Sequence, residues 1–271
     1  FDLWCSLWFW PGEKLDLAPM PNDFALERLS PEQMETLLTI AEDNHFFHWE
    51  LEFPEVFGQE RFGFDSILGN PPWDISKPKS QEYFSNVDPL FRTYGKQVAK
   101  AKQKEYFTDD QSVEEGWLHY CAGFKGMSNW IQHSSVPFGE RLEDGKYEIP
   151  IGKPKENCHV RWKSRRGQNT SHPFQFQGGG DINLYKLFLE QAYSLVKTRG
   201  RIGFIVPSGI YSDNGTKELR ELFFNKCSLE WLFSFENRKK IFDIDSRFKF
   251  NPLVIQKGGH TESFRAAFMR Q

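Results

Sequence analysis

From Asp181 onward the apolar residues switch between a helical period and continuous runs, and that alternation commits the chain to an α/β sheet. Leu184, Leu187, Phe188, Ala192 and Leu195 share one face of a predicted helix that Gly200 ends. Residues 201–206 follow as an apolar strand closed by Pro207-Ser208-Gly209. A second helix is predicted over 216–226, with Leu219, Leu222 and Phe223 turned inward. Two more strands are predicted at 229–235 and 252–256, and an earlier one at 64–68. Strands that alternate with helices in this way form a partly parallel sheet covered by helices.

The flanking sequence is different in kind. Residues 1–10 are strongly aromatic and read as a buried helix or strand end. Ser30-Pro31-Glu32-Gln33 carries the signature of a capping box with proline in the first turn, and Met34, Leu37, Leu38 and Ala41 follow at helical spacing. Between 75 and 180 the sequence is polar, irregular and rich in turn formers, with helices predicted at 89–106 and 114–124. The expected organisation is therefore core over 1–74, an insertion over 75–180 and core again over 181–271.

Composition narrows the function classes. With 271 residues and 39% hydrophobic content, the chain can build one large α/β core with a long insertion. Aromatics reach 16%, enough for a core and for a surface on which bases stack. A net charge of −3 does not by itself point to nucleic acid. Its distribution is more telling: Lys153, Lys155, Arg161, Lys163, Arg165 and Arg166 cluster with aromatic and histidine neighbours, and Lys96, Lys100, Lys102 and Lys104 form a second group. Each group is either a solvated face or a contact for phosphates. The four cysteines are widely separated and His45-x-x-His48 has no third ligand in view, so no metal site is expected and the thiols should be free and mostly buried, as in a reducing cytosol. No apolar run is long enough to span a bilayer. The chain opens on Phe1 in mid-pattern and is expected to be a piece of a longer polypeptide.

The strand at 64–68 stops on Asn70-Pro71-Pro72-Trp73. Two prolines fix two φ angles near −65° and delete two backbone donors. They also hold the residue before each of them extended. The carbonyls of Asn70 and Pro71 are thereby left without a neighbouring N–H, the Asn70 amide adds an acceptor, and Trp73 adds a flat face. Acceptors beside an aromatic plate, at the carboxyl end of a strand, suit a planar ring that bears an amine. Taken alone, the tetrapeptide also fits an ordinary turn after a strand.

Its context is more specific. Together with His48-Trp49-Glu50-Leu51-Glu52-Phe53-Pro54-Glu55-Val56-Phe57, Asn183-Leu184-Tyr185, Phe188-Leu189-Glu190 and the run 200–208, the turn resembles the amino-methyltransferases that act on DNA. More closely it resembles the adenine-specific methyltransferase region of type IIG and related restriction–modification or phage-defence enzymes, over residues 1–73 and 178–257. The resemblance implies the C-terminal part of a class I, Rossmann-like sheet with helices on both faces, and a bacterial or archaeal cytoplasmic enzyme. It implies S-adenosylmethionine as methyl donor and double-stranded DNA as substrate. Asn70, Pro71, Pro72 and Trp73 become the catalytic turn, with Asn70 also touching the cofactor and Trp73 stacking on an extruded adenine. Phe242, and next to it in preference Phe248, would hold the other face of that base. Asparagine at the first motif position points to adenine N6 rather than cytosine N4. The family's glycine-rich cofactor loop, expected before the turn, is absent from these 271 residues; Gly178-Gly179-Gly180 follows the turn and reads as a hinge. An N-terminal cofactor-binding half and a C-terminal target-recognition domain of the parent polypeptide are thus implied partners. Two other readings stay open: a protein-glutamine or RNA amino-methyltransferase, and a non-catalytic fragment that binds DNA or a partner.

Overall fold

The computed structural model describes residues 1–20, 23–24, 28–58, 62–134, 140–141, 147–148, 173–178, 181–243 and 245–270. The chain divides into two compact units, Phe1–Phe46 with Lys77–Arg161, and Phe47–Ser76 with Trp162–Gln271.

In the first unit, α1 (Pro31–Asn44) starts on the predicted capping box. Ser30 Oγ accepts from Gln33 N at 3.1 Å, and Gln33 Oε1 accepts from Ser30 N at 2.8 Å. The helix buries Thr36, Leu37 and Ile40, while Met34 and Leu38, expected inward, are exposed. The aromatic opening segment is buried only in part: Trp10 lies in the core, whereas Phe1 and Trp4 are exposed.

The helix predicted at 89–106 begins only at Lys96, as α2 (Lys96–Asp109), because Phe91–Thr93 forms a separate 3-10 turn and Gly95 occupies the cap. The one predicted at 114–124 extends to 23 residues as α3 (Gln111–His133), with the Asp110 carboxylate accepting from Ser112 N at 2.9 Å. Far from being irregular, this region encloses an aromatic core. Phe84 and Phe91 are fully buried, and Phe84 meets the rings of Trp117 at 5.1 Å, Phe107 at 5.9 Å and Tyr106 at 6.1 Å. The Asp88 carboxylate accepts from the hydroxyls of Tyr106 at 2.6 Å and Tyr94 at 2.9 Å, and the bond from Tyr106 is the main reason its carboxyl sits below the usual carboxylate range. Lys96, Lys100 and Lys104 are exposed on α2, while Lys102 pairs with Glu105 at 2.8 Å.

The second unit holds the sheet. Its strands are β1 (Phe64–Gly69), β2 (Val196–Pro207), β3 (Cys227–Glu236), β4 (Lys249–Lys257) and β5 (Arg265–Arg270), in the order β1-β2-β4-β3-β5. β1 pairs parallel with β2, β4 pairs antiparallel with both β2 and β3, and β5 pairs parallel with β3. Thus β4 alone runs against the others, and the fold is a mixed α/β sheet. α4 (Leu184–Leu195) leads into β2 and packs on it, and α5 (Lys217–Lys226) does the same for β3. Leu189, Val196, Ile202, Val206, Leu219, Leu222, Leu253 and Ile255 form the centre of the core.

Three details depart from expectation. α4 ends at Leu195, and the polar residues before Gly200 belong to β2. Phe188 is 46% exposed, its place in the core taken by Leu189. β5 was not expected at all. The aromatic stretch before β1 folds as two single-turn helices whose Trp49, Phe53 and Phe57 meet the Phe64 ring edge-on at 5.7, 5.4 and 5.5 Å. Of the cysteines, Cys227 is buried and its thiol is pushed up to about 11, chiefly by burial; Cys5 and Cys121 are half-buried, and all three are free.

Gly63 sets the start of β1. Its φ is 108°, and a Cβ there would run into the Leu195 carbonyl and lie 2.8 Å from Lys197 N. Gly63→Ala is expected to cost about 2–3 kcal/mol of stability, read by urea unfolding, because both the backbone angle and the space exclude a side chain. A loss below about 0.5 kcal/mol would show that β1 can shift away from β2 without penalty.

Candidate active site

β1 delivers the Asn-Pro-Pro-Trp turn to the carboxyl end of the sheet. Gly69 pairs with Phe204, so the turn continues alongside the last residues of β2. Asn70 and Pro72 are exposed, Pro71 is buried and Trp73 is half-buried. The Asn70 side chain makes no hydrogen bond among the described residues. Trp73 packs against the core while its Nε1 donates to the Ile205 carbonyl at 3.3 Å. This one bond fixes the plane of the indole relative to β2. The turn therefore has a buried proline and an anchored ring on its inner side, and a free amide on its outer side.

A second aromatic comes from the connection between β3 and β4. Phe248 is 50% exposed, and its ring centroid lies 6.4 Å from that of Trp73 at an interplanar angle of 42°. Phe242 is placed differently: its ring meets Phe250 edge-on at 4.8 Å, and Phe250 stacks on Phe235 at 5.4 Å. The structure thus brings Asn70, Pro71, Pro72, Trp73 and Phe248 together and sets Phe242 into the packing that supports the connection.

Sequence reasoning overlooked Asn237. It is fully buried, its Nδ2 donates to the Phe242 carbonyl at 3.0 Å, its Oδ1 accepts from Phe242 N at 3.1 Å, and its backbone N–H donates to the Phe248 carbonyl at 3.0 Å. One residue, through its side chain and its backbone N–H, thereby closes the loop that presents both phenylalanines. Next to Phe248, the Arg247 guanidinium hydrogen-bonds Asp245 at 2.6 Å and holds that exposed carboxyl down at about 2. Asn251 was overlooked as well: it is buried opposite Val206 on β4 and donates from Nδ2 to the Val206 carbonyl at 2.9 Å, next to the carbonyl that receives Trp73. A buried asparagine inside a strand is the signal that could have marked it.

The basic residues Lys153, Lys155, Arg161, Lys163, Arg165 and Arg166 lie outside the described residues. Among the described residues no group of three His, Cys, Asp or Glu side chains is placed to hold a metal ion. None of the described helices is long and apolar enough to cross a membrane.

Comparison with known proteins adds an independent line. The family model described as Eco57I restriction-modification methylase matches residues 1–112 and 141–242. No curated protein matches the chain. Among solved structures it is similar to a chain of a type I restriction–modification system, at 18% identity over 36% of this chain and 20% of that one, with a TM-score of 0.29. It is similar to the type IIG restriction endonuclease BpuSI, at 18% identity over 43% of this chain and 13% of that one, with a TM-score of 0.27. A Listeria monocytogenes protein regarded as a class I S-adenosylmethionine-dependent methyltransferase aligns at 14% identity over 100% of this chain and 84% of that one, with a TM-score of 0.32. The chain spans only 20% and 13% of the first two of these proteins.

Proposed function

Because the chain belongs to the Eco57I restriction-modification methylase family, we propose that its Asn70-Pro71-Pro72-Trp73 turn is the catalytic element of a DNA methyltransferase in a restriction–modification system, and that the target is the N6 amine of an adenine swung out of the duplex. The observation that carries this reading is the free Asn70 amide at the carboxyl end of β1, directly ahead of a tryptophan held in place by Ile205.

The adenine amine is a poor nucleophile, since its lone pair is delocalised into the ring. The Asn70 side-chain oxygen and the Pro71 carbonyl accept its two N–H groups and favour a pyramidal nitrogen whose lone pair is free to attack. Both acceptors sit on a segment stiffened by two prolines, so little reorganisation is needed as charge develops on the nitrogen. Trp73 receives one face of the base, and Phe248 stands beside it for the other, which offsets part of the unstacking cost. S-adenosylmethionine, when bound, supplies an electrophilic methyl group. Of its contacts this chain offers Asn70, an exposed amide at the strand end; the remaining contacts come from a further domain or subunit. Double-stranded DNA meets the chain at the turn and through the cluster from Lys153 to Arg166.

The test is modified-base sequencing of DNA from cells that express the full-length protein. N6-methyladenine at one fixed sequence, absent when Asn70 is replaced, is the expected result. N4-methylcytosine in its place, or unmodified DNA alongside a methylated protein or RNA, would overturn the assignment.

A further inference from the structure

Lys186 and Glu190 stand one turn apart on α4 and are 5% and 2% exposed. Neither has a part in the reading above. The Glu190 carboxylate accepts from the backbone N–H of Gln175, from that of Phe176 at 3.0 and 3.1 Å, and from Gln177 Nε2 at 2.6 Å. Lys186 Nζ donates to the carbonyls of Gln177 at 3.1 Å, Asp181 at 3.4 Å and Gly215 at 3.4 Å. Buried charges are costly unless every lone pair and proton is matched, and here the matching groups are mostly backbone. Two such residues on one helical turn therefore fix the course of the chain around them.

That chain leads to the catalytic turn. Glu190 holds residues 175–177, Lys186 holds the carbonyls of Gln177 and Asp181, and the next step runs from Asp181 along the chain to a ladder with the residues just past Trp73. Ser76 N donates to the Ile182 carbonyl at 2.8 Å, Leu184 N donates to the Asp74 carbonyl at 3.0 Å, and Ile75 and Asn183 form an antiparallel bridge. The third carbonyl on Lys186, that of Gly215, belongs to the 3-10 turn Asn214–Thr216 in the connection from β2, the strand that receives Trp73 Nε1, to α5. Gly178 allows the close approach: its φ is 70°, and a Cβ there would meet the Gly215 carbonyl and lie 2.7 Å from Glu218 Oε2.

We propose that Lys186 and Glu190 are positioning residues, which lock residues 181–183 in place and so fix residues 74–76 and the orientation of the Asn-Pro-Pro-Trp turn. The catalytic part of this inference rests on the function proposed above; the anchoring part stands without it.

Glu190→Gln keeps the volume but turns an NH2 group toward backbone donors, and Lys186→Met keeps the stem while removing the ammonium. Hydrogen exchange read by mass spectrometry on the full-length protein is expected to show the peptide with residues 74–76 exchanging about tenfold faster in both variants, with β2 and β4 unchanged. Turnover in DNA methylation should fall about tenfold or more, with the Kd for S-adenosylmethionine and for DNA moved less than about threefold, since a small misplacement of the reacting groups costs rate before it costs binding. Unchanged exchange at residues 74–76 while residues 175–178 loosen would overturn the anchoring. Faster exchange with wild-type turnover would overturn the positioning role. If the wild-type protein methylates no DNA, the proposed function fails, and the exchange data alone still decide the anchoring.

Discussion

Asn70→Ala is expected to slow methyl transfer by about 10²- to 10³-fold while leaving stability within about 0.5 kcal/mol of wild type. Both halves of that expectation follow from one placement. The side chain is exposed and makes no hydrogen bond among the described residues, so its removal opens no cavity and strands no partner. Backbone geometry at this position is governed by Pro71, which remains. What disappears is a preorganised acceptor aimed at the amine, an interaction that strengthens as the nitrogen becomes pyramidal and positive. Single-turnover rates of the full-length protein, paired with thermal unfolding, give the two readouts. Near-normal turnover would remove Asn70 from the chemistry. A large loss of stability would show that its role is to hold the turn. Asn70→Asp sharpens the comparison, because it keeps an acceptor but adds a charge at the strand end.

What the sequence disclosed follows what apolar residues can signal. α5 and the central parts of β2, β3 and β4 were legible because Leu219, Leu222, Ile202, Val206, Leu229 and Ile255 all face the core with regular spacing. The first four residues of β2 after Val196 were not, since Lys197, Thr198 and Arg199 carry the strand with polar side chains and Gly200 has none. β5 was missed for a related reason: its apolar run is only Ala266-Ala267-Phe268-Met269, opening on two alanines that do not favour strands, and its backbone pairing with β3 holds it as an edge strand. The aromatic core of the first unit was hidden because Phe84 and Phe91 come from isolated turns rather than from one amphipathic helix. At the candidate site the Asn-Pro-Pro-Trp turn announced itself through proline stereochemistry, which is local. The choice between Phe242 and Phe248 depended on how Asn237 closes the loop, and no local pattern encodes that.

Trp73→Ala is expected to weaken capture of the extruded base by about 1–3 kcal/mol, or roughly 5- to 150-fold in the KM for DNA, with S-adenosylmethionine affinity moved less than about twofold. The asymmetry comes from where the indole sits. Its nitrogen points back to the Ile205 carbonyl and part of the ring is sunk in the core, so the remaining surface is free to receive a ring. Truncation will also cost packing against the core, and Trp73→Phe separates the two contributions. Phenylalanine keeps an aromatic plate but loses the bond to Ile205 that fixes its plane, so it should recover most of the DNA affinity while its turnover stays below wild type. A target site that lacks its base supplies the complementary control. With no ring to receive, the deficit of Trp73→Ala should vanish on such a duplex. If the deficit is the same on intact and abasic DNA, or if cofactor affinity falls in parallel, Trp73 does not act on the flipped base, and its contribution reduces to support of the turn.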